Sequence, residues 1–155
     1  SKDNLLKATL THLSEELLSA WTHITEDDSK SAQDKLWAII AAAFLPHICT
    51  HEKVRTWFAF YGEARYRAFY REMVRAFDDQ RSDEIEALIN HLSDGNIDAE
   101  ALTTSIESLS DGLWLSMMLY PEWTTAEHAQ QRLWDMLCVY LPAHCTPGGM
   151  PALPS

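Results

Sequence analysis

The chain has 155 residues, 46% hydrophobic and 23% charged, and its 12 Lys and Arg face 23 Asp and Glu for a formal charge of −11. That length suffices for one domain with a proper core, and that charge excludes binding of nucleic-acid phosphates by these residues. No apolar run approaches the ~18 residues of a membrane span, the opening residues do not resemble a secretory leader, and three widely spaced cysteines (Cys49, Cys138, Cys145) fit free thiols in a reducing cytoplasm.

The hydrophobic periodicity predicts an all-α fold of about six helices, with no alternating run long enough for a strand. A first helix is expected from about Asp3, its candidate cap, to Ile24, with Leu6, Leu10, Leu13, Leu17 and Trp21 as its buried stripe. The second runs from about Ser31 to Phe44 with Leu36, Trp37 and Ile40 inward, and Pro46 ends it. A third, aromatic segment spans about Glu52 to Gly62. The fourth, about Glu63 to Leu92, buries Tyr66, Phe69, Tyr70, Met73, Val74 and Phe77, then Ile85, Leu88 and Ile89. It is expected to pause at "DDQRSDE", where Ser82 can cap a restart. After the turn "SDGN", the fifth helix runs from about Asp98 to Leu119. The sixth starts at the capping box "TTAE", Thr124 and Glu127, and reaches about Leu141. The proline- and glycine-rich residues 142–155 predict a flexible tail after a single domain over 1–141.

Four stretches carry a family resemblance. "SKDNLLKATL" is similar to the place in TetR-family repressors where the helix-turn-helix ends and the connecting helix begins, through Lys2, Asp3, Leu5 and Leu6. "VRTWFAFYGEARYRAFYREMVRAF", "SLSDGLWLSMML" and "VYLPAH" resemble the middle, the late Asp-Gly-Leu-Trp-Leu signature and the end of the BetI-like subfamily. The resemblance implies a cytoplasmic homodimeric repressor, paired through its last two long helices in a four-helix bundle. It implies an effector in the C-terminal domain, choline or a relative, and control of genes for the osmoprotectant glycine betaine. Residues 1–24 would be the connecting helix. The basic helix-turn-helix, the only part expected to touch DNA, would precede Ser1 in a longer repressor, with a stand-alone sensor domain as the alternative.

A quaternary ammonium is held by aromatic faces and a nearby carboxylate. Trp57 and Tyr61 share a helix face beside Phe58, while Glu107, Asp111 and Trp114 share a stripe of the fifth helix. These six are the candidate effector-binding residues. The alternative is that the aromatics are core and the acids meet arginines, for which Arg55, Arg65, Arg67, Arg71 and Arg75 are available. The effector would then be a neutral aromatic or acyl compound, or absent from a purely structural dimerisation domain.

For a dimer seam the candidates are Leu109, Gly112, Leu113 and Ser116 on the fifth helix, with Leu133 and Leu137 on a sixth helix that is apolar nearly all round. "HICTH" places His47, Cys49 and His51 at alternate positions, but without a fourth ligand no metal is expected. No cofactor is expected either. No nucleophile with an adjacent base, and no phosphate-binding glycine loop, marks an enzyme.

Overall fold

A computed structural model describes residues 1–64 and 68–152. Tyr66, Arg65 and Arg67, and the side chains of Phe69 and Tyr70, lie outside the described residues. Six helices follow in order: α1 (Lys2–Thr25), α2 (Ala32–Ala42), α3 (His51–Ala64), α4 (Ala68–Ser93), α5 (Ala99–Leu119) and α6 (Ala126–Tyr140). Among the described residues no helix is long and apolar enough to cross a membrane.

The caps set most of the boundaries. Ser1, rather than Asp3, caps α1 by accepting from Asn4 N at 3.3 Å; Asp3 lies inside the first turn, where its charge suits the helix dipole. Ser31 accepts from Asp34 N and its hydroxyl donates to Asp34 Oδ2, a reciprocal cap that starts α2. Asp98 caps α5. The start of α6 is one residue later than the capping box suggested: Thr125 accepts from His128 N, and Glu127 falls in the first turn. At "SDGN", Asp94 and Gly95 take positive φ and the Gly95 N–H closes onto the Asn90 carbonyl, which stops α4.

The pause expected at "DDQRSDE" does not occur. Phe77, Ile85 and Ile89 stay on one stripe of an unbroken α4, so its polar residues sit on the other faces. Ser82 caps nothing and donates to Glu107 on α5.

α2 is the centre of the molecule. Leu36 to Ala42 are all buried, since α1 and α4 pack on either side. α5 lies against α4, α3 bridges α4 and α5, and α6 covers α5. The carbonyls just past α2 have no partner within their own helix. Trp114 Nε1 donates to Ala43 O at 2.9 Å and Gln130 Nε2 to Phe44 O at 3.2 Å, so α5 and α6 complete the end of α2. Trp37 and Trp134 meet edge to face, centroids 5.1 Å apart.

After Leu141, Pro142, Ala143 and residues 146–149 are exposed, while core side chains hold the segment at a few points. Trp134 Nε1 donates to Thr146 O, Trp37 Nε1 to Pro151 O, and Cys145 is 1% exposed. Two indole N–H groups that end at the surface of the core need acceptors, and the tail's carbonyls supply them.

Candidate functional site

α1, α3 and α4 enclose a cavity of about 30 Å³, room for one or two waters. α1 contributes Ser14, Leu17, Leu18 and Trp21, α3 contributes Trp57, and α4 contributes Val74, Phe77, Asp78 and Arg81. The residues on α4 follow from its stripe. Phe77, Arg81, Ile85 and Ile89 are spaced by four, so the guanidinium enters where an apolar side chain would stand. Ser14 similarly occupies a place in the buried row of Leu10 and Trp21 on α1.

Arg81 organises the charge. Only 13% of its side chain is exposed, and Nη1 lies 3.6 Å from Glu107 Oε1 across the α4–α5 contact. Burial pulls its pKa down, and the charges of Glu107, Asp78 and Asp111 hold it charged. Those acids crowd each other. Burial first, then the Glu107 charge, pushes the Asp78 carboxyl up to about 6, with Arg81 opposing. Asp78 as a residue is exposed, so water screens much of this effect. Asp111 is raised mainly by burial, against the pull of Arg81. The Tyr61 phenol faces the same charges: burial, then Asp111 and Asp78, raise its pKa.

The expected aromatic-plus-acid constellation is therefore brought together, with its parts in different roles. Trp57 lies 6.3 Å from both Tyr61 and Trp114, and Phe58 packs edge to face on Tyr61 at 5.5 Å. These rings pack on one another in tilted and edge-to-face contacts. Trp114 is 4% exposed, held by its bond to Ala43, and does not line the cavity; Trp57 does. Glu107 and Asp111 flank Arg81, whereas the arginines weighed from the sequence that are described (Arg55, Arg71 and Arg75) are exposed. Sequence reasoning missed Arg81, Asp78 and Ser14. For Arg81 and Ser14 the available signal was a polar residue on an otherwise buried helical stripe, whereas Asp78 is exposed and carried no such signal.

The exposed apolar residues lie elsewhere. Leu115, Leu119, Val139 and Tyr140 are exposed on α5 and α6, with Tyr120 and Trp123 stacked between the two helices. Gly112 is exposed on α5; Leu109, Leu113 and Ser116 are half-buried beside it. Leu133 and Leu137, expected at the seam, are 0% and 1% exposed in the single chain and pack into its core, because α6 turns that face onto α5. Of "HICTH", His47 and His51 are exposed while Cys49 is buried, its thiol pushed up by burial. Among the described residues no cluster of three ligating side chains forms.

Residues 32–141 match the family of BetI-type transcriptional repressor C-terminal domains. Over 118 residues, 74% of this chain, the sequence is 28% identical to an HTH-type transcriptional regulator BetI of Burkholderia lata, and the match spans 58% of that protein's length. No solved structure matches. That family consists of regulators rather than enzymes. With its six helices in place and the match covering all of α2 to α6, the chain belongs to the TetR family as a BetI-type repressor C-terminal domain.

Proposed function

We propose that this chain is the effector-binding and dimerising part of a ligand-responsive transcriptional repressor. Its effector is a compact organic cation such as choline, which enters the cavity between α1, α3 and α4. The observation that carries the cationic reading is the charge count around that cavity. Among the described residues Arg81 is the partly buried cation beside Asp78, Glu107 and Asp111, and the Asp78 and Asp111 carboxyls are raised. A second cation beside Asp78, against the indole of Trp21 or Trp57, opposes that rise. The resemblance to the BetI-like subfamily supports choline or a relative as that cation and glycine betaine genes as the target.

The size of the cavity supports a mechanism. A ligand of several heavy atoms exceeds about 30 Å³, so binding displaces α1 from α4. By the family resemblance α1 leads to the DNA-reading head, and the exposed faces of α5 and α6 pair two chains. A ligand that favours the opened cavity shifts the dimer toward the head spacing compatible with it. DNA is contacted only through that head.

Calorimetric titration of this chain with choline is expected to show heat at millimolar ligand. Asp78→Asn is expected to weaken binding about tenfold, the scale of a charge-assisted contact. Absence of heat with choline, together with a thermal shift from neutral aromatic or acyl compounds, would replace the cation by that second ligand class.

A further inference from the structure

The cavity is lined mostly by apolar side chains, and Ser14, Asp78 and Arg81 are its polar lining residues. Ser14 is 3% exposed and its Oγ has no hydrogen-bond partner. Arg81 Nε and Nη2 are buried and equally unpaired, only Nη1 being turned toward Glu107. Buried polar groups are almost always paired, and an unpaired charged donor is the costliest exception. A guanidinium has donors only, so what completes it is an acceptor. The Ser14 hydroxyl is a further unpaired donor on a residue lining the same cavity. The carboxylates nearby do not reach these nitrogens, although Asp78 lines the same cavity.

We propose that the unpaired donors of Ser14 and Arg81 form an oxygen subsite, in which Ser14 Oγ and Arg81 Nε and Nη2 take a carboxylate or hydroxyl oxygen of the effector while Asp78 and the indoles take its cationic body. The proposal rests on the effector cavity argued above and narrows its ligand class. A bare ammonium leaves the three donors unpaired, whereas an oxygen-bearing cation satisfies them. A carboxylate fits best, because adjacent guanidinium N–H groups form a planar fork that matches two oxygens.

Calorimetric titrations of the chain with four probes test this: tetramethylammonium, choline, trimethylammonioacetate, and 3,3-dimethylbutyrate as a carboxylate on a neutral body. Trimethylammonioacetate is expected to bind about tenfold more tightly than tetramethylammonium, the size of one added charge-assisted hydrogen bond, with choline between them. Ser14→Ala and Arg81→Lys are each expected to cut that preference to within about threefold while leaving tetramethylammonium affinity nearly unchanged. Ser14→Ala serves alone if the arginine variant fails to fold. Equal affinity for all three cations, or a preference that survives in the variants, overturns the oxygen subsite but leaves the cationic effector standing. If 3,3-dimethylbutyrate binds as tightly as trimethylammonioacetate and loses affinity in Ser14→Ala, the subsite holds and the cationic effector falls. No binding by any probe overturns both.

Discussion

Arg81 on α4 and Glu107 on α5 approach to 3.6 Å, and the same Glu107 oxygen accepts the Ser82 hydroxyl at 2.5 Å. The pair ties two long helices together at the edge of the cavity. Its two members are not equivalent. Arg81 is the cation for three carboxylates, whereas Glu107 is one carboxylate of three. Removing one partner of a largely buried pair costs about 3–5 kcal/mol, less where water reaches the remaining group. Arg81→Met is therefore expected to lower stability at pH 7 by about 3 kcal/mol in urea unfolding. Glu107→Gln keeps an acceptor for Ser82 and should cost only about 1 kcal/mol. Equal losses in the two variants would contradict this ranking.

The raised Asp78 carboxyl has a stability consequence of definite sign. Its pKa is about 6 in the folded chain against an ordinary 3.8. Between those values the folded state holds a proton that the unfolded chain has released, so this contribution to stability falls as pH rises. The penalty is fully present above about pH 6 and gone below about pH 4. The lowered carboxylates Asp27 and Glu127 act in the opposite sense, but only near or below pH 4. Thermal melts at pH 5 and pH 7 thus isolate the Asp78 effect from theirs. Asp78→Asn is expected to gain stability relative to the wild type at pH 7 and about half as much at pH 5, with Asp111 keeping part of the pH dependence. An Asp78→Asn difference independent of pH would assign the titration to another group.

Trp114 sits in the family-like signature, yet its indole serves the core. It is 4% exposed, donates to the Ala43 carbonyl at 2.9 Å and packs on Trp57. Trp114→Phe leaves that carbonyl without its donor and opens a small void, at a cost of about 2 kcal/mol. Trp114→Ala should cost about 3–5 kcal/mol. Effector binding to the phenylalanine variant is expected to stay within about threefold of wild type at a temperature where it is folded, since the indole does not line the cavity. A large affinity loss in a well-folded Trp114→Phe chain would return the indole to the ligand site.

Local chemistry explains what could be anticipated from the residues. Ser31 and Asp98 stand before periodic apolar runs, and each caps a helix. At "TTAE" the expected cap is Thr124, and its neighbour Thr125 caps α6 instead. The aromatic spacing correctly put Trp57, Tyr61 and Trp114 near one another, because α3 and α5 pack together. What occupies the acids was harder to see. Arg81 stands in the run "DDQRSDE", which has the composition of a loop, and only its distance of four from Phe77 and from Ile85 marks it as inward. The anchoring of the tail was not legible either. Its partners, the Thr146 and Pro151 carbonyls, are backbone groups that any residue carries, so composition said nothing about them.

Gly112 gives the sharpest test of the proposed dimer. A Cβ built there meets nothing within 4 Å, and its φ is not positive, so neither crowding nor backbone conformation within the chain requires glycine. Mid-helix glycine nevertheless costs about 1 kcal/mol relative to alanine. Ser108, Leu115 and Leu119 share its exposed face at spacings of four and three. Helix axes that pack closely stand about 8–10 Å apart, and a leucine at the crossing forces them wider. Gly112→Leu is therefore expected to keep or raise the melting temperature of the single chain and to convert a dimer into a monomer in sedimentation equilibrium at micromolar concentration. Val139→Glu on the exposed face of α6 should do the same by burying a charge at the seam. A wild-type chain that is monomeric under these conditions, or a Gly112→Leu chain that dimerises unchanged, would place the pairing surface elsewhere on the molecule.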